Sequence, residues 1–252
     1  MSVLLVTGSS RGIGAGICIE AAKRGWKVCV NYAQSEEEAL AVVSDIKGAG
    51  GKAVAVQADV SQEDQVVELY KQIDKDLGLL TGLVNNVGTN GGGTRVDEQS
   101  LHALKKLFEI NVYSYFLCSK YAIQRMAKRH GGQGGSIVNI SSAASKHGGP
   151  FTYIDYAASK GAIDTFSVGL AKEQAAEGIR VNCLRPGATM TELSTIYAHE
   201  NPEWIDWVMA QVPLNRPAEV EEIAGTALFL LSEEASYVTG AILDANGGWV
   251  SP

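Results

Sequence analysis

Val3-Leu4-Leu5-Val6-Thr7-Gly8-Ser9-Ser10-Arg11-Gly12-Ile13-Gly14 decides the fold. Four consecutive apolar residues bounded by a turn signal read as a short strand buried on both faces, the kind found in parallel sheets. Three glycines in the spacing GxxxGxG follow, and then a helical run carrying Ile17, Ile19, Ala21 and Ala22. Strand, tight turn and helix N-terminus in that order make an anion cradle. The glycines allow close backbone approach, and the free N–H groups with the helix dipole attract a pyrophosphate. The spacing differs from the GxGxxG dinucleotide fingerprint, and a plain strand-to-helix turn is the competing reading. Gly8, Ser10, Arg11, Gly12, Ile13 and Gly14 are thereby candidate cofactor-binding residues.

Outward from this turn, apolar strands at 27–32, 53–57, 82–86, 136–140, 180–184 and 241–244 alternate with helical stretches. Alternation of this kind predicts an α/β fold: a Rossmann-type doubly wound parallel sheet in three layers, α/β/α. Residues 1–252 show no linker, internal repeat or low-complexity tract, so one dinucleotide-binding domain is expected. Gly91-Gly92-Gly93 and Gly131-Gly132-Gln133-Gly134-Gly135 read as loops. In such sheets the ligand lies at the carboxyl ends of the strands. Gly8, Asp59, Asn86, Ser142 and Pro186 all fall there.

Composition agrees with an enzyme domain. With 252 residues, 46% of them hydrophobic, the chain can bury a large core. A formal charge of −7 gives no electrostatic reason to expect nucleic acid or an anionic membrane, which leaves a small molecule as the expected partner. Met1-Ser2 leads straight into the first strand, and no apolar run approaches a membrane span, so a soluble cytoplasmic protein is expected. Cys18, Cys29, Cys118 and Cys183 are scattered in apolar contexts without a CxxC pair; buried thiols in a reducing compartment are expected, and no metal site.

A proton-handling pair lies in Tyr156-Ala-Ala-Ser-Lys160, a stretch that reads as helix. Residues i and i+4 share a helix face, so the Lys160 ammonium is expected beneath the Tyr156 phenol, favouring its phenolate. A tyrosine so placed can exchange a proton with a carbonyl or alcohol oxygen while hydride moves at the carbon. Ser142 stands upstream, at the end of the strand Ile137-Val138-Asn139-Ile140. YxxxK also occurs by chance on many helices, and its weight comes from the glycine turn in the same chain.

Taken together, Thr7 to Gly14, Asp59-Val60, Asn85-Asn86-Val87-Gly88, Asn111, Ser142, Tyr156, Lys160 and Pro186-Gly187 resemble the short-chain dehydrogenase/reductase family, over a stretch running from Val3 to about Gly248. Val87 departs from the usual alanine, Thr189 from the usual aliphatic residue, and Ser142 and Tyr156 stand one residue further apart than in many members. The resemblance implies roles. Asp59 would accept from the adenine amine with Val60 beside the ring, although an aspartate after a strand is as often a helix cap. Asn86 and Gly88 would line the cofactor. Asn111, in the helix read over 107–117, would hold a water linking Lys160 to solvent, or else be a satisfied core asparagine. Ser142 would hold the substrate oxygen, and Lys160 would also grip the nicotinamide ribose. Pro186-Gly187 would open the loop over the nicotinamide, within reach of Thr189 and Thr191.

The end of the second strand bears on cofactor choice. NAD sites usually place a carboxylate there for the ribose 2′-hydroxyl, whereas Asn31-Tyr32 ends this strand. Arg11 can pair with a 2′-phosphate, unless it is simply a solvated loop cation. Glu36-Glu37-Glu38 stands against this, but Ser35 and Glu38 read as a capping box that turns the carboxylates away. NADP is therefore expected in preference to NAD. Tyr153 forms a second pattern, YxxxxxxK, with Lys160, the spacing of bacterial enoyl reductases. The glycine turn, Asn86-Val87-Gly88, Asn111 and Ser142 go with carbonyl chemistry, leaving Tyr153 as a pocket-wall aromatic.

Residues 89–96, 147–152 and 188–214 are expected to set substrate choice. The last carries Leu193, Ile196, Tyr197, Trp204, Ile205, Trp207, Val208 and Met209 and reads as a substrate lid. Interconversion of an apolar ketone with its secondary alcohol is the expected reaction. The alternatives are a 3-oxoacyl carrier-protein reductase, docked through Lys128, Arg129 and Lys172, and a non-catalytic cofactor-binding regulator. An extended sugar epimerase would need a longer C-terminal domain. Small residues on the Tyr156 helix, with the resemblance, point to a homotetramer.

Overall fold

β1 (Val3–Val6) is buried at every position, and its side chains divide between two cores. Leu4 and Val6 pack on one face of the sheet, Val3 and Leu5 on the other, as the two-residue period of a strand requires. This is why the run is uninterrupted by polar residues. The computed structural model describes residues 2–201 and 203–249, and the side chains of Leu193, Tyr197 and Met209 lie outside that description.

Around β1 the chain lays down β2 (Lys27–Tyr32), β3 (Lys52–Gln57), β4 (Gly82–Asn85), β5 (Gly135–Ile140), β6 (Ile179–Pro186) and, late in the sequence, β9 (Ile242–Ala245). The main sheet has the order β3-β2-β1-β4-β5-β6-β9, and every pair is parallel. Leu5 stands opposite Cys29 on one side and Leu83 on the other. The order reverses between β1 and β4, which opens a crevice at their carboxyl ends.

Helices cover both faces. α1 (Gly12–Lys23), α2 (Glu36–Gly48) and α10 (Val220–Leu231) pack with Leu4, Val6, Val28 and Val30. α3 (Glu63–Asp76), α5 (Ser114–Met126) and α7 (Ile154–Gln174) pack with Leu5, Cys29, Leu83 and Ile137. The three-layer α/β/α fold read from the sequence is the fold observed. All four cysteines are free and buried; burial pushes the Cys18 and Cys183 thiols up to about 12. Among the described residues no helix is long and apolar enough to cross a membrane.

The differences from the sequence reading lie at ends and irregularities. β6 runs from Ile179 through Pro186, longer than 180–184, because Gly187 N–H still bonds to Ala245 O at 3.0 Å. The single helix expected over 107–117 is α4 (Leu101–Phe108), a π-helical segment Glu109–Tyr113 and α5. Residues 188–214 hold β7 (Thr189–Met190), α8 (Glu192–Glu200) and α9 (Glu203–Gln211), and β7 pairs with β8 (Ala218–Glu219) in a separate two-stranded sheet. α6 (Ala144–His147) is a single turn between β5 and α7.

Candidate active site

The glycine turn is held from behind. Asn31, 1% exposed at the end of β2, accepts from Gly8 N–H at 3.1 Å and donates to Val56 O and Ala58 O at 3.3 and 3.0 Å. Its side chain is spent on bracing the turn, so Asn31 lies behind the cradle rather than on its open side. Tyr32 is likewise buried. Thr7 Oγ1 accepts from the N–H groups of Asn86 and Val87, and Asn86 Nδ2 donates to Thr7 O and Gly8 O, which locks β4 against the turn.

Gly8 and Gly12 adopt φ of 59° and 57°, the left-handed region that favours glycine. A Cβ on Gly14 would stand 2.6 Å from Asn86 Nδ2 and 2.8 Å from Gly8 O. The chain thus keeps bare backbone where an elongated anion has to lie close, and this cradle fits a dinucleotide pyrophosphate. Ser10 and Arg11 sit in the same turn, Arg11 exposed.

Arg11 overturns one expectation. Ser35 precedes α2 but makes no side-chain cap; its Oγ accepts from Arg11 Nη2, and Glu38 lies 4.0 Å from the same guanidinium. The charged donor outcompetes a neutral backbone N–H for the serine oxygen, so the expected capping box is absent and one carboxylate of the acidic run faces Arg11. Asp59 behaves as a turn residue, accepting from Ser61 N–H at 3.0 Å and Ser61 Oγ at 2.7 Å, beside buried Val60.

A cleft of about 410 Å³ opens at the carboxyl ends of β1, β4, β5 and β6. Of the residues singled out from sequence, Ile13, Asn86, Gly88, Ser142, Tyr156, Lys160, Pro186, Gly187, Thr189 and Thr191 line it. Tyr153 does not: it is 38% exposed at the start of α7, its ring beside Gly93, so it is no wall of this cleft. Only Ile154 and Asp155 separate it from Tyr156, but Tyr153 is the cap before α7, with φ of −130° and ψ of 34°, outside the helix whose periodicity places Tyr156.

Burial holds the Tyr156 phenol above its ordinary value of 10.0, and the nearby Ser142 hydroxyl offsets this only in part. Lys160 Nζ lies over the Tyr156 ring, as expected, but makes its hydrogen bonds elsewhere. It donates to Ile140 O at 2.9 Å and to Tyr115 Oη at 3.1 Å, and stands 5.9 Å from the Tyr156 ring centre. Burial lowers the lysine to about 8. Two neutral acceptors hold the buried cation here, and among the described residues no carboxylate is hydrogen-bonded to it.

Sequence reasoning missed Tyr115, whose own hydroxyl donates to Ile140 O at 2.8 Å; one tyrosine in an apolar helix carried no signal. It also missed Ser159, although this residue lies inside the YxxxK motif. Ser159 Oγ donates to Tyr156 O at 2.7 Å and accepts from Asn111 Nδ2 at 3.0 Å. Asn111, fully buried in the π-helical segment, also exchanges two 2.8 Å bonds with the Thr89 backbone. Its side chain ties the loop after β4 to α7. Gly88 lies in between, where a Cβ would be 3.3 Å from Lys160 Nζ and 3.6 Å from Asn111 Oδ1.

At the mouth, Thr189 Oγ1 donates to Gly187 O at 3.1 Å, and Ser194 Oγ joins Thr189 O to the Thr191 N–H and hydroxyl. Leu193, Tyr197 and Met209, expected in a substrate lid, fall outside the described side chains.

A family model described as enoyl-(acyl carrier protein) reductase matches residues 8–250. The chain is 46% identical over 248 residues to a protein of Escherichia coli named uncharacterized oxidoreductase YgfF, covering 98% of this chain and all of that one. It is 35% identical to a 3-oxoacyl-[acyl-carrier-protein] reductase FabG of Staphylococcus aureus, over 97% of this chain and 96% of that one. Among solved structures, a short-chain dehydrogenase/reductase from Serratia marcescens superposes with a TM-score of 0.90 at 33% identity, covering 99% of this chain and 98% of that one. The chain belongs to the short-chain dehydrogenase/reductase family of nicotinamide-dependent oxidoreductases.

Proposed function

We propose that this oxidoreductase interconverts an apolar ketone and its secondary alcohol, with NADP(H) as cofactor and Tyr156 as general acid and base. The observation that carries the reading is the meeting of Ser142, Tyr156 and Lys160 in one cleft from which Tyr153 is excluded. A bound nicotinamide dinucleotide supplies the hydride in reduction and takes it up in oxidation. Gly8, Gly12, Ile13 and Gly14 would hold its pyrophosphate end, and Asn86, Gly88, Lys160, Pro186, Gly187, Thr189 and Thr191 its nicotinamide end. Ser142 and Tyr156 are placed to hydrogen-bond the same substrate oxygen, which fixes the carbonyl and polarises it. Tyr156 gives that oxygen its proton in reduction. A nearby Lys160 cation stabilises the phenolate left behind, and loss of a neutral phenol from an apolar site is otherwise opposed by burial. Asn111 and Ser159 hold α7 in register with the Thr89 loop, and Asn111 Oδ1 and Lys160 Nζ flank Gly88, so that a water held there would relay the lysine's proton.

Support for NADP is the absence of a carboxylate at Asn31-Tyr32 together with Arg11 beside Ser35. Glu38 at 4.0 Å opposes it, and an incoming 2′-phosphate would have to take Arg11 from that carboxylate. Residues 188–214 serve as the substrate lid. The second reading, 3-oxoacyl carrier-protein reduction, draws on the relative of that name. Against it, Arg129, one of the three cations expected to dock a carrier, is engaged with Glu177, 3.3 Å between charged groups.

The test follows nicotinamide absorbance with NADPH and NADH against ketones, ketoesters, diketones and a 3-oxoacyl thioester. Tyr156→Phe should lower kcat by about 10²–10⁴-fold while leaving cofactor binding unchanged, and Tyr153→Phe should keep most activity. A lower KM for NADH than for NADPH would overturn the cofactor assignment. Cofactor binding with no turnover on any compound would favour a regulator.

A further inference from the structure

The turn Asn246-Gly247-Gly248-Trp249, close to the end of the chain, is built against the exit of the 188–214 segment. Gly247 and Gly248 have φ of 65° and 84°; a Cβ on the first would lie 2.5 Å from Val212 Cγ1, and one on the second 3.1 Å from Pro213. Only glycine lets these two stretches of chain touch. Leu214 N–H donates to Gly247 O at 3.1 Å. Asn246 is buried and fixes the turn, donating from Nδ2 to Trp249 O at 2.7 Å and accepting from Gly248 N–H at 3.1 Å.

This turn aims the Trp249 indole at two other rings. It stacks on the His147 imidazole, ring centres 5.0 Å apart and planes 17° apart. It also meets Trp207 of α9 edge-on, at 5.5 Å and 81°. Both arrangements are ones that aromatic quadrupoles favour. His147 is itself held, its Nδ1 accepting from Gly149 N–H at 3.2 Å. The three rings come from the end of α6, from α9 and from the turn at Asn246 to Trp249. None of them lines the cleft. Asn246 nevertheless packs on the cleft wall, its Cα 2.8 Å from the place a Gly187 Cβ would take. Val208, one residue after Trp207, is fully buried, so α9 is seated rather than loosely laid on the surface.

We propose that Trp249 is a positioning residue whose clamp with His147 and Trp207 holds α9 at a fixed height over the substrate side of the cleft. The width of the mouth, and so the size of carbonyl compound admitted, then depends on a side chain that touches neither substrate nor cofactor. The selectivity part rests on the carbonyl-reducing reading above; the clamp does not.

Hydrogen–deuterium exchange on the full chain separates the two. In Trp249→Ala, amides of residues 203–214 should exchange about tenfold faster while the main sheet is unchanged, and Trp249→Phe should restore most of the protection. With NADPH, the ratio of KM for benzil to KM for diacetyl should fall about fivefold in Trp249→Ala, with the dissociation constant for NADPH unaltered, and Trp249→Phe should return it toward wild type. Unchanged exchange at 203–214, or faster exchange spread evenly over the chain, overturns the clamp. Faster local exchange with an unchanged KM ratio overturns the control of size. If the wild type turns over neither diketone, the carbonyl reading fails for this class, and the exchange experiment still decides the clamp.

Discussion

Lys160 shows how far a single residue departs from what its spacing suggests. Helix periodicity puts it on the Tyr156 face, but burial decides its charge: the lysine is only 3% exposed and is lowered from 10.5 to about 8. Below pH 8 the folded chain keeps the ammonium at a desolvation cost. Between about 8 and 10.5 the unfolded chain still holds a proton that the folded chain has released, so stability attributable to this residue rises with pH across that window. Denaturant unfolding should show wild type gaining on Lys160→Met by up to about 3 kcal/mol from neutral pH to the top of that range. A gap independent of pH would mean that the lysine is solvated. Asn31 teaches a related lesson. Its place in the sequence suggested a face turned to the cofactor, whereas three backbone partners claim the side chain.

At the scale of elements, glycines that look alike in sequence do unlike work. Gly14 lies in the first turn of α1, where any side chain would strike Asn86 Nδ2 and Gly8 O, while Gly225 in α10 has nothing within 4 Å of its Cβ position. Gly14→Ala should cost about 1–3 kcal/mol and weaken cofactor binding, because the turn and β4 must part to admit the methyl. Gly225→Ala should instead gain about 0.5–1 kcal/mol from helix propensity. Thermal unfolding and cofactor titration of the two variants check both signs. The π-helical segment at Glu109–Tyr113 belongs to this scale too. It lets Asn111 leave a regular helix and tie the Thr89 backbone to Ser159.

For the whole molecule, a half-exposed aromatic pair lies away from the cleft. Phe116 on α5 is 51% exposed and its ring centre is 4.1 Å from that of Phe166 on α7. With exposed Ala158 and half-buried Gly161 and Ala162 on the same helix as Phe166, this face suits a second copy of the chain. Light scattering should give a mass about four times the 26.7 kDa protomer, and Phe116→Asp should lower it. A monomer in wild type would sink this proposal. The parallel sheet was legible because each buried strand declares itself by an unbroken apolar run, and the cradle because glycine spacing reports backbone geometry directly. The motif residues that line the cleft were legible because the crevice must form where strand order reverses, at the carboxyl ends where those motifs lie. The sequence by itself therefore determined the fold and the end of the sheet at which the motif residues gather. Tertiary structure alone decided where Lys160 Nζ points, what Arg11, Asn31 and Asn111 hold, and which rings meet at Trp249. Those outcomes depend on competition among partners far apart in the chain for the same hydrogen bonds and the same buried space, and local spacing carries no record of who wins.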